Sequence, residues 1–150
     1  MKKYLIFFIV ILLSCSSDDS NTDNPIQNPE FNVDLLIKRW AYNQVNINGQ
    51  QYIYQHQPSC QKDEFTFANN ETQIRQYSEL IFINDICSTN GINRDWKVKN
   101  DIISLFFGTQ KVIDFKVILV NENSFIYSYV YDIDNDNIDD NIIIYAIPYE

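Results

Sequence analysis

The chain has 150 residues, 11 of them basic and 20 acidic, for a formal charge of −9. That balance disfavours nucleic acid and anionic lipid surfaces as partners, and the length allows one ordinary domain with short appendages. Glycine and alanine are scarce while isoleucine, valine, phenylalanine and tyrosine are abundant, a composition that favours strands over helices.

Met1, Lys2 and Lys3 precede an apolar run from Leu5 to Leu13. Two lysines ahead of such a run read as a signal peptide, and the run is shorter than the roughly 20 residues of a spanning helix. It ends in Leu12-Leu13-Ser14-Cys15, which resembles the lipobox of bacterial lipoproteins: an aliphatic residue, a tolerant position, a small residue and a cysteine. The resemblance implies removal of residues 1–14, a diacylglycerol on the Cys15 thiol and an acylated new amino terminus. Several acyl chains would hold the protein to a membrane, where one chain holds only marginally. The alternative is an ordinary signal peptide with a chance cysteine. Ser16-Ser17-Asp18-Asp19 resembles the serine-plus-acidic export tag of some Gram-negative surface lipoproteins. It implies an outer-membrane anchor with the domain on the cell surface, the alternatives being a periplasmic face and a plain solvated tether.

Residues 15–31 otherwise hold little that could form a core, so they read as the lipidated cysteine and a flexible tether. One domain follows over residues 32–150. Cys60 and Cys87 remain, and in an oxidising compartment they most simply form a disulfide. Two free thiols are the alternative. A zinc site is disfavoured, because His56 is the single histidine and paired ligand spacing is lacking. His56 itself reads as an exposed strand-end residue.

Val33 to Arg39 reads as a short helix with Leu35, Leu36 and Trp40 packing inward. Strands are predicted over 40–48, 51–57, 63–68, 73–83, 93–99, 102–107, 111–120, 124–132 and 142–148, separated by turn signals such as Asn48-Gly49, Asn84 to Gly91, Asn100-Asp101 and Gly108-Thr109. Alternation assigns one face to each run: Phe65 and Phe67; Ile103, Leu105 and Phe107; Ile113, Phe115, Val117 and Leu119; Phe125, Tyr127, Tyr129 and Tyr131. Consecutive strands with tight turns favour an all-β, up-and-down antiparallel barrel of about eight strands, whose closure removes exposed edges.

Between the last two strands lies Asp132-Ile133-Asp134-Asn135-Asp136-Asn137-Ile138-Asp139-Asp140. Asp132, Asp134, Asp136 and Asp140 occupy positions 1, 3, 5 and 9 of a calcium loop, with the Ile138 carbonyl at position 7. Asn137 stands where glycine is usual, and Ile143 replaces the bidentate glutamate. The competing reading is a solvated acidic hairpin loop. No organic cofactor is indicated.

Leu35-Leu36-Ile37-Lys38-Arg39-Trp40 with Asn48-Gly49, Cys60-Gln61-Lys62-Asp63-Glu64-Phe65-Thr66-Phe67, Cys87, and Trp96 to Leu105 together resemble the lipocalin-like domains of bacterial lipoproteins. The resemblance spans most of residues 35–131, although Lys38 stands where that group usually has glycine. It implies a small calyx-like barrel and a non-enzymatic role, with a small apolar molecule as ligand. Trp40, Trp96, Phe125, Tyr127, Tyr129 and Tyr131 are the candidate ligand-binding residues, and the same side chains could simply fill the core.

The sequence assembles neither a Ser-His-Asp nor a Cys-His set, and it has no glycine-rich phosphate loop. Two functions compete: a binding module with an open barrel, and an accessory protein with a filled barrel, a calcium-stiffened hairpin and a cell-surface protein partner. A cavity larger than about 300 Å³ favours the first.

Overall fold

The computed structural model describes residues 30–69, 75–83 and 86–150. The expected signal peptide, Cys15 and the expected tether up to residue 29 lie outside the described residues. A 3-10 helix, Val33–Leu36, opens the domain, with the Asn32 side chain accepting the Asp34 N–H at its start. Nine strands follow: β1 Arg39–Ile47, β2 Gln50–Ile53, β3 Glu64–Asn69, β4 Arg75–Ile83, β5 Ser88–Lys99, β6 Ile102–Phe107, β7 Gln110–Val120, β8 Phe125–Tyr131 and β9 Asp140–Pro148.

All pairings are antiparallel, and β9 returns to pair with β1 from Trp40↔Pro148 to Ile47↔Ile142. That last pairing closes eight strands into a barrel. β2 is the ninth, a short flap on the second half of β1. β3 takes the same edge of β1 at its first half, Arg39 to Ala41. The all-β up-and-down barrel expected from the strand pattern is therefore present.

Two strands differ from expectation. β2 stops at Ile53, because Tyr54 N–H donates to Asn43 O and the chain then leaves the ladder. β5 begins at Ser88, not near residue 93: its first residues, polar and containing Gly91, complete a ladder on β4 up to Ile83↔Ser88. Alternation also fails at two places. Ile118 is an extra residue between the pairs Val117↔Tyr127 and Leu119↔Ile126. This bulge flips the phase, so that Val120 packs against the core and Leu119 is exposed. Phe107 ends β6 at the rim and is 68% exposed, beyond the reach of the core.

Because strands alternate in direction, the barrel has two unlike ends. One end receives the start of β1 and is filled by Leu36, Trp40, Phe67, Trp96, Ile103 and Phe125, each no more than 1% exposed. Trp40 stacks at a tilt on Phe125, with centroids 5.6 Å apart, and its Nε1–H donates to Leu36 O at 3.1 Å. The 3-10 helix plugs this end with Leu36 and Trp40, as the sequence led one to expect. Leu35, also expected inward, is only half-buried and stands outside the core cluster, because the helix ends at Leu36. The other end carries the Asn48-Gly49 turn, the residue 54–63 segment, the Gly108-Thr109 turn and the acidic loop. It is the open end.

Candidate functional site

The open half of the barrel holds a cavity of about 490 Å³. Its wall is mainly aromatic and aliphatic. Phe115, Tyr127 and Tyr129 form one side, with Phe115 and Tyr127 centroids 4.6 Å apart. Tyr42 and Tyr77 face them, and Val112, Val130 and Tyr131 stand at the rim, each more than half exposed. The stripe on β8 thus runs from core to mouth: Phe125 and Tyr127 are buried, Tyr129 half-buried and Tyr131 59% exposed.

Of the candidate ligand-binding residues, Tyr127, Tyr129 and Tyr131 line the cavity. Trp40, Trp96 and Phe125 do not; they lie in the core beneath it. The two tryptophans satisfy their own N–H groups there, Trp96 Nε1 donating to Gln76 O at 3.1 Å. A tryptophan with its N–H already paired and its ring enclosed is a packing residue.

Two charged residues also line the cavity, Glu79 from β4 and Arg94 from β5. The hydroxyl of Tyr42 donates to Glu79 Oε1, and Tyr77 hydrogen-bonds the same carboxylate. Burial pushes the Glu79 carboxyl above its usual value, and the bonds from Tyr42 and Tyr77 pull only partly the other way. Burial, with the nearby Glu79 charge, holds the tyrosines protonated: Tyr42, Tyr77 and Tyr127 are raised well above the ordinary value, and Tyr129 is pushed up to about 12. Neither Glu79 nor Arg94 stood out in the sequence. The alternation Tyr77, Glu79, Ile81 was the available signal, since it puts a carboxylate between two inward apolar residues.

His56 is not the exposed residue expected. It is half-buried, with Nε2 2.9 Å from Tyr42 O and Nδ1 accepting the Asp63 N–H at 2.9 Å. An amide must donate and a carbonyl must accept, so these partners select the neutral imidazole with the proton on Nε2. Beside it Asp63 is 3% exposed; its carboxylate accepts the Phe82 N–H at 2.6 Å and the Tyr54 hydroxyl at 3.0 Å. This cluster fastens the residue 54–63 segment to the barrel. The Cys60–Cys87 disulfide fastens it again, with Cα atoms 5.4 Å apart.

In the acidic loop, carboxylate oxygens of Asp132, Asp134 and Asp136 lie within 4.8 Å of one another. Asp132 accepts the N–H groups of Asp136 and Asn137, and Asp136 accepts that of Ile138. Asn137 has φ 68°, the left-handed conformation for which glycine is usual at this position. Asp140 does not join this group. It is the first residue of β9, opposite Tyr131, and its carboxylate accepts the Ile133 N–H at 3.1 Å and the Asn48 side-chain amide at 2.6 Å.

No protein-family model matches the chain, and a comparison with curated proteins returns no match. Among solved structures, the chain is similar to a lipocalin-like protein from Bacteroides uniformis ATCC 8492, with 14% identity, a TM-score of 0.49, and 73% of this chain and 97% of that chain covered.

Proposed function

We propose that this barrel is the binding module of a lipid-anchored surface protein and takes a small, mostly apolar molecule into its open end. The cavity of about 490 Å³ carries this reading. Its volume falls in the range of about 300–1,000 Å³ usual for small-molecule sites, and a few polar groups are set in an aromatic wall. A filled accessory barrel needs no such space. Catalysis through His56 is disfavoured, because both of its ring nitrogens are engaged with backbone groups. The anchor suits the orientation: Glu30 N–H donates to Asn100 O at the closed end, so a chain tethered through Cys15 joins the barrel opposite its mouth.

Titration of the purified protein with N-phenyl-1-naphthylamine tests the cavity. Saturable fluorescence enhancement is expected, weakened at least about tenfold by Ile113→Trp, which fills the wall, while melting stays cooperative. Unsaturable enhancement, or equal binding by that variant, rejects the reading. A second reading concerns the acidic loop. Three carboxylates gathered within 4.8 Å support calcium binding by Asp132, Asp134 and Asp136, with the Ile138 carbonyl as a further ligand and Asp140 bracing the loop.

A further inference from the structure

Among the described residues, Glu79 is the one acidic side chain lining the cavity. β4 alternates so that Tyr77, Glu79 and Ile81 point inward, and Glu79 lies between the core and the mouth. Among the described residues it forms no ion pair with a lysine, arginine or histidine. Arg94, the other charged group of the wall, makes no ion pair with Glu79. Its Nη1 donates to Asn93 O at 2.8 Å, and its guanidinium lies 5.2 Å from the centroid of Phe107 at the rim. Arg94 Nε is buried without a hydrogen-bond partner.

A carboxylate withdrawn from water without a cation is costly, and the hydroxyls of Tyr42 and Tyr77 offset only part of that cost. An ionised carboxylate offers about four acceptor sites, and two tyrosine donors leave acceptor capacity facing the cavity. A wholly hydrocarbon ligand would cover that capacity and leave it unpaired. A site with a buried polar group rejects partners that cannot pair with it. An acid is worse still, since it places a second negative charge beside the first.

We propose that the ligand is an amphiphile whose head is a hydrogen-bond donor, an amine or a hydroxyl, that meets Glu79. Its apolar body runs along Tyr129 and Val112 to the mouth at Val130 and Tyr131. The inference rests on the cavity being a binding site, and it adds the chemical class of what enters.

Isothermal titration with decylamine, decanol and decanoate, three heads on one chain length, tests both levels. The wild-type protein is expected to bind decylamine and decanol at least about tenfold tighter than decanoate. Glu79→Gln, which keeps an acceptor for Tyr42 and loses the charge, is expected to bring the three within about threefold. A larger loss for decylamine than for decanol would assign the natural head to the charged amine, and equal losses to the hydroxyl. Decanoate binding as tightly as decanol in the wild type, or an unchanged preference in Glu79→Gln, overturns the inference and leaves the binding module standing. Failure of all three to bind removes the binding module and the inference together.

Discussion

Asp63 reaches across from the start of β3 to accept the Phe82 amide of β4 at 2.6 Å, and its other oxygen takes the Tyr54 hydroxyl. One buried carboxylate thus ties the residue 54–63 segment to the barrel wall. Hydrogen bonds to charged groups contribute about 1.5–3 kcal/mol, and a truncated partner strands the donors it leaves behind. Asp63→Ala is expected to lower unfolding stability by about 3 kcal/mol in urea, and Asp63→Asn by less, since an amide oxygen still accepts from Phe82.

The Cys60–Cys87 bridge spans 27 residues. In the chain-entropy model that loop contributes roughly 3 kcal/mol by restricting the unfolded chain. A Cys60→Ser, Cys87→Ser double variant is expected to unfold at correspondingly lower urea with an intact barrel, as judged by far-ultraviolet circular dichroism. Two freely alkylated thiols in the native protein would contradict the bridge.

Glu79 sets a pH dependence whose sign follows from its raised carboxyl. A group held above its unfolded value of 4.5 favours the fold fully below that pH, and its contribution is lost as pH rises through the higher folded value. Glu79→Gln is therefore expected to melt above the wild type near pH 8, with the gap shrinking on acidification toward pH 4. A gap that does not narrow would show that Glu79 ionises without cost.

Calcium binding to the acidic loop predicts a metal-specific rise in melting temperature. With a Kd near about 10⁻⁴ M, roughly 10 mM calcium adds about 2.7 kcal/mol, which moves the midpoint by several degrees. Magnesium is expected to do less, because it demands a tighter octahedral shell. An equal calcium shift in an Asp134→Asn, Asp136→Asn variant, or none in the wild type, would return the loop to a solvated turn.

Anchoring is tested at Cys15. The wild type is expected to partition with membranes and to carry label from a fatty-acid precursor. Cys15→Ser is expected to lose both, and membrane-bound, labelled Cys15→Ser protein would dismiss the lipid anchor.

The strands and their turns were legible in the residues themselves. Alternation at Phe65 and Phe67, or at Ile103 and Leu105, is a local consequence of the period-two backbone, and Asn-Gly and Asn-Asp pairs mark where it reverses. The pairing of Cys60 with Cys87 was expected from their number and from an exported reading of the chain, and Leu36 and Trp40, though not Leu35, pack inward as expected. What lies inside the barrel was decided by contacts between distant residues. The extra Ile118 in β7 becomes a bulge only against β8, and it alone turns Leu119 out and Val120 in. Trp40 and Trp96 became core, not cavity wall, because the 3-10 helix closes their end and leaves the other open. Asp63, His56 and Glu79 looked like ordinary polar residues. Burial and partners from β1 and β4 made two of them a clasp and the third the charged group of the cavity, since the worth of a polar side chain depends on how much water its neighbours exclude.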